Sequence, residues 1–143
     1  MKRPILIGFV GLVGVFLLIQ LIPYGRQHTN PPVVKEPNWD SPETRDLAVR
    51  ACFDCHSNEV VWPWYSHVAP ISWLVQRDVE EGREHLNLSD WEYNKKSAEI
   101  VGTIKEGEMP LPIYLITHPE ARLTAAEKAA LITGFTETIA NSR

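Results

Sequence analysis

Cys52-Phe53-Asp54-Cys55-His56 places two thiols and an imidazole within five residues. C-x-x-C-H is the spacing used to attach haem covalently, and chemistry accounts for it. Thiols three apart on a helical turn can reach the two vinyl groups on one porphyrin edge and form thioethers. The imidazole that follows then lies under the ring and ligates the iron from one side. The motif takes both cysteines of the chain and leaves no stray thiol. Two rival chemistries use the same residue types. A thioredoxin-like redox pair sits at a helix start within an α/β pattern, whereas this pair closes a helix. A zinc site could recruit Cys52, Cys55 and two histidines, but the nearby histidines lack the paired H-x3–5-H spacing. The expected cofactor is therefore one covalent haem c, with Cys52 and Cys55 as thioethers and His56 on the iron.

The other face of the iron needs its own ligand. Met109 is the one methionine after the initiator, and it stands in Gly107-Glu108-Met109-Pro110. A thioether on a stiff, proline-rich loop 53 residues beyond His56 can reach the opposite face. Core filling is the commoner role of methionine, and His67, His85 and His118 are the alternative ligands. His118, next to Pro119, fits a capping or surface role better. Trp62, Trp64, Tyr65 and Trp73 crowd one stretch. They form either a haem-pocket wall, with indole N–H groups or Arg77 and Arg83 meeting the propionates, or the general core of a small domain. A ligating histidine usually gives its second ring N–H to a carbonyl, for which the Ala69-Pro70 region is the candidate source.

Helices must position these groups. Ser41-Pro42-Glu43 is a helix start, and Leu47, Ala48, Ala51, Cys52 and Cys55 recur at helical spacing, so this helix ends at the cysteines. A second helix is expected from about Pro70 to Glu84. Ser89-Asp90-Trp91-Glu92 has capping-box spacing and predicts a third, with Ala98, Val101 and Ile104 inward, stopping at Gly107. Thr124-Ala125-Ala126-Glu127 predicts the last, with Leu131, Ile132, Phe135 and Ile139 on one face. No convincing alternating strand occurs. The expected fold is all-α, a cytochrome c-like helical domain over 41–143 around one haem. So small a helical domain buries little surface unaided and gains from an apolar group at its centre.

The segment before it differs. Ile5 to Ile22 contains no charge and one polar side chain, Gln20. A helix of those 18 residues would reach about 27 Å. The run is longer than a signal-peptide core and lacks a small-residue cleavage site, so residues 1–26 are expected to be an uncleaved, single-pass membrane anchor. Lys2 and Arg3 favour a cytoplasmic N-terminus. Residues 27–40, rich in proline, read either as a stalk or as an arm packed on the domain. Haem attachment in bacteria occurs outside the cytoplasmic membrane, so the expected location is that membrane, with the haem domain on the periplasmic side.

Together these residues make the chain resemble the bacterial haem-binding domain family of small membrane-anchored c-type cytochromes. The matching stretches are Arg50-Ala51-Cys52-Phe53-Asp54-Cys55-His56-Ser57-Asn58, Val61-Trp62-Pro63-Trp64-Tyr65, Gly107-Glu108-Met109-Pro110 and His118-Pro119-Glu120-Ala121-Arg122-Leu123. The resemblance covers about residues 33–140. It implies a cytochrome c-like fold, haem on Cys52 and Cys55, and His56 and Met109 as axial ligands. Pro112 and Ile113 depart from the family pattern, which often has aromatics after the Met-Pro pair.

Composition sets the remaining bounds. At 44% hydrophobic and 22% charged residues the chain is not disordered. Residues 1–26 carry Lys2, Arg3 and Arg26 and no acid, so with a net charge of −4 overall the remainder carries −7. Nucleic acid is a poor partner for that surface. A redox protein with a basic docking patch is a better one, although an acidic surface can also be simply solvated. The expected function is one-electron transfer and not enzyme catalysis. The alternatives are a peroxidase or gas sensor, should Met109 leave the iron, or a haem subunit of a larger membrane complex.

Overall fold

The computed structural model describes residues 2–92 and 95–142. Every regular element among them is helical, and one isolated parallel bridge joins Lys35 to Asp90. The chain divides into two compact units: Met1–Thr29 with Trp62–Asp78, and Asn30–Val61 with Val79–Arg143.

The first unit opens with helix α1, Lys2–Ile19. It does not run through the apolar segment as the sequence predicts. Only Ile5–Ile19 of that segment is helical, about 22 Å at 1.5 Å per residue, short of a hydrocarbon core of about 30 Å. Beyond Ile19 the amides of Gln20, Leu21 and Ile22 bond three residues back, closing a turn. Gln20 is the reason the run stops there. Its Nε2 donates to Phe16 O at 3.1 Å and to Ala69 O at 2.9 Å, and its Oε1 accepts from Ala69 N at 3.0 Å. Among the described residues no helix is long and apolar enough to cross a membrane. The expected transmembrane span over 5–22, the single-pass anchor and the membrane location that rested on it are thereby corrected. Gly25, at φ +78°, lets the next turn approach Ser72, whose carbonyl oxygen would lie 2.4 Å from any Cβ there. Trp64–His67 forms a 3-10 turn.

In the second unit, α2 (Pro42–Ala51) starts where expected, with Ser41 Oγ accepting from Thr44 N at 3.2 Å. It runs into the single turn of α3, Phe53–His56. Helix α4, Ile71–His85, contributes its last turns to this unit. Helix α5 spans Lys95–Glu106, and Gly107 at φ +77° ends it as predicted. It begins later than Ser89-Asp90-Trp91-Glu92 predicted, because Ser89 is committed elsewhere. Ser89 Oγ accepts from Asn58 N at 3.0 Å, and Ser89 N donates to Asn87 Oδ1 at 2.9 Å. Ser97, Ile100 and Ile104 face inward, while Ala98 is exposed. Short α6 (Tyr114–Thr117) precedes α7 (Ala125–Ala140), which carries the predicted Thr124–Glu127 capping box.

Helix α7 packs on α2 and α5. Leu47, Phe53, Trp91, Ile104, Leu131 and Phe135 make the core between them. Gly134 permits the α2–α7 approach, since a Cβ there would fall within 3 Å of three Thr44 side-chain atoms. Residues 30–40 lie along this unit as an extended arm. Val34 N donates to Ser89 O at 2.8 Å, Trp91 N donates to Lys35 O at 2.8 Å, and Asn58 Nδ2 donates to Pro32 O at 2.9 Å. Trp39 then inserts between Phe53 and Phe135, with ring centroids 6.4 and 5.8 Å away.

Candidate haem site

The C-x-x-C-H motif forms one turn because Cys52 serves two helices. Its amide closes α2 on Ala48 O at 2.8 Å, and its carbonyl accepts from Cys55 N at 3.2 Å and His56 N at 2.9 Å. Both thiols and the imidazole therefore belong to one short, hydrogen-bonded turn. The turn is fixed at its exit too. Ser57 Oγ donates to Phe53 O at 2.8 Å, Arg83 Nε donates to Ser57 O at 2.7 Å, and Leu88 N donates to His56 O at 2.7 Å.

His56 Nδ1 lies 2.9 Å from Gly82 O and 3.1 Å from Leu86 O. Carbonyls only accept, so the ring proton resides on Nδ1 and Nε2 keeps its lone pair. Burial lowers the imidazole pKa, the two carbonyls oppose that shift, and the ring stays neutral. A neutral imidazole with Nδ1 donated to a carbonyl is the arrangement a metal-ligating histidine needs. The carbonyls come from Gly82 in α4 and Leu86 just beyond it, and not from the Ala69-Pro70 region, where Ala69 O accepts from Gln20.

Gly82 makes this reach possible. A Cβ at that position would stand 2.5 Å from Cys55 O and 3.0 Å from Cys55 C. Only glycine lets α4 approach the motif closely enough for its carbonyl to meet His56. A glycine inside a helical pattern is the one signal in the sequence that could have pointed here.

Cys52 has its pKa pushed up to about 12 by burial, with a smaller push from Cys55. A thiol held protonated is a poor thiolate ligand and a poor redox nucleophile. Among the described residues no group of three or more His, Cys, Asp and Glu side chains is placed to hold a metal ion. Two thiols and one imidazole on a single turn are the side chains that haem attachment uses, with the porphyrin supplying four further donors to its iron.

Met109 follows the Gly107 turn, is half-buried, and belongs to the same unit as the motif. Its peptide to Pro110 is cis. Of the alternative ligands, His85 is exposed, and His118 Nδ1 donates to Tyr114 O at 3.1 Å. Trp62, Trp64, Tyr65, Trp73 and Arg77 belong to the first unit, as does His67. There Trp62 stacks on His28 with centroids 4.3 Å apart and planes 8° apart, and His67 tilts against the same ring. Trp64 is 80% exposed, with Tyr65 edge-on to it. Trp73 Nε1 is buried without a hydrogen-bond partner, and Arg77 is exposed. His28 and Tyr114 carried no signal in the sequence. Tyr114 Oη donates to Asp54 Oδ2 at 2.7 Å, which ties α6 to the motif.

The model of the haem-binding domain family matches residues 14–137. No curated protein and no solved structure matches the chain. The match spans the motif, α4 with its Gly82 carbonyl and the Met109 loop, so the histidine geometry and the family agree on the ligand. The chain belongs to the haem-binding domain family and is a haem protein.

Proposed function

We propose that this haem protein is a c-type cytochrome that carries one electron at a time and is not an enzyme. The observation that carries the reading is His56, whose Nδ1 is held by two backbone carbonyls with Nε2 left for iron, on a turn shared with both thiols. In this reading Cys52 and Cys55 would hold the group covalently, and His56 and Met109 would ligate its iron. Bound haem supplies a one-electron iron couple, and His/Met ligation raises its potential and leaves no open position. The chain supplies rigidity. Gly82 and Leu86 fix the imidazole and Leu88 fixes the His56 backbone carbonyl, so a change of oxidation state would move little. The −7 charge outside residues 1–26 suits a redox partner with a basic docking patch.

Intact mass with a pyridine haemochrome spectrum tests the attachment, because covalent haem adds one haem to the chain and resists acid–acetone extraction. A far-red methionine–iron band, present in the wild type and lost in Met109→Ala, is the expected ligand signature. A wild type that is high-spin and binds CO readily would defeat the carrier reading and favour a peroxidase or gas sensor.

A further inference from the structure

Asp54 is one of the two variable residues inside the C-x-x-C-H turn, and both its oxygens are engaged. Oδ1 accepts from Val61 N at 3.0 Å, and Oδ2 accepts from Tyr114 Oη at 2.7 Å. Tyr114 opens α6 just beyond the Met109-Pro110 pair. It is also held from behind. Its ring lies flat on His118, with centroids 4.0 Å apart and planes 12° apart, while His118 Nδ1 donates to its carbonyl. Arg122 Nε and Nη2 donate to Leu115 O at 3.0 and 2.8 Å, and Ala121 is fully buried. The segment from His118 to Arg122 has no part in the haem ligand set. Its contacts brace α6, and Tyr114 transmits that brace to Asp54.

We infer that Tyr114 is a positioning residue that, through Asp54, ties the Met109 loop to the C-x-x-C-H turn and holds the methionine to iron. The inference rests on the His56/Met109 reading above. A thioether is a weak acceptor, so its hold on iron depends on how much loop freedom must be lost when it binds. A hydrogen bond to a carboxylate is of the stronger, charge-assisted kind. It fixes the far end of the loop that Gly107 begins, so Met109 lies between two anchored points. The phenol is half-buried, which keeps water from replacing it freely.

The test uses the full-length haem-loaded protein in three forms: wild type, Tyr114→Phe and Asp54→Asn. The phenylalanine keeps the ring on His118 and removes only the hydroxyl. Haem should stay covalently bound by intact mass, while the far-red methionine–iron band weakens. Added imidazole, which competes with Met109 for iron, should bind about tenfold tighter or more, as expected from losing one hydrogen bond to a charged group. Amide exchange across residues 111–118 should also speed up, a readout independent of the iron. A variant that melts earlier but binds imidazole as the wild type does would overturn the inference. Should Tyr114→Phe fail to fold by far-UV circular dichroism, Asp54→Asn decides by the same criteria. A wild type without covalent haem or without the far-red band would defeat the His/Met reading itself. A wild type with both, and variants with unchanged imidazole affinity, would defeat the role of Tyr114 alone.

Discussion

Replacing Gly82 by alanine puts a methyl carbon 2.5 Å from the carbonyl oxygen of Cys55 and 3.1 Å from its Cβ. The nearest obstacle is backbone, which cannot rotate away, so either α4 or the C-x-x-C-H turn must shift by several tenths of an ångström. Overpacking of this kind costs about 1–3 kcal/mol. Alanine returns up to about 1 kcal/mol through its better helix propensity. The net expectation is a loss of up to about 2 kcal/mol. Gly102 supplies the control. It lies inside α5 with nothing within 4 Å of its would-be Cβ, so Gly102→Ala should gain about 0.5–1 kcal/mol. The same chemical change is thus expected to have opposite signs at two helical glycines. Their melting temperatures should differ by roughly 2–10 °C for a chain of this size. Thermal melts of the full-length protein followed by circular dichroism measure that gap. A second readout addresses the site: moving α4 lengthens the His56–Gly82 hydrogen bond, and under the proposed ligation by His56 the reduction potential of the haem form should rise. Equal stabilisation by the two substitutions would refute the reasoning, because it would mean α4 does not rest on Cys55.

Two further expectations concern the scaffold. Arg45 Nε and Nη2 each lie 2.7 Å from a Glu36 oxygen, and this pairing holds the Glu36 carboxyl below its usual 4.5. Its contribution is therefore present above about pH 4.5 and drains away as the pH falls through the lowered value. Glu36→Gln should be less stable than the wild type at pH 7 and converge with it in acid, with a difference that shrinks in high salt. Chemical denaturation at several pH values checks this, and a pH-independent difference would exclude the ion pair as its cause. Thr124→Ala removes the acceptor for Glu127 N, 3.2 Å away, and half of the capping box of α7. It should cost about 1 kcal/mol, read as a lower denaturation midpoint with an unchanged slope.

The arm over residues 30–40 shows how the core of the second unit depends on a segment with no regular element. Trp39 fills the space between Phe53 in the motif and Phe135 in α7. Its indole N–H donates to Glu36 at 2.7 Å, and Glu36 pairs with Arg45, whose guanidinium lies 5.5 Å from the centroid of the Phe53 ring. The arm is therefore linked to the C-x-x-C-H turn through Phe53, directly by Trp39 and through the Glu36–Arg45 pair.

What could be read from the chain was what is settled within a few residues. The C-x-x-C-H turn needs only its own backbone, with Cys52 O accepting from Cys55 N and His56 N. The Ser41 cap, the Thr124 capping box and the Gly107 stop are local for the same reason, and each lies where its residues predict. Ser89 carries an equally good local signal that the structure does not use, because its hydroxyl accepts from Asn58 N, 31 residues away, while its amide donates to nearby Asn87. The N-terminal run departs from its sequence expectation for a similar reason. Its hydropathy is local, but its helical length is set by Gln20 reaching Ala69, 49 residues away. The orientation of His56 depends on carbonyls 26 and 30 residues downstream, and the Tyr114–Asp54 tie spans 60. The sequence alone determined which atoms are available to hold a haem. Which proton His56 keeps, and what braces the loop that carries Met109, were decided only when packing brought distant backbone and side chains within hydrogen-bonding distance.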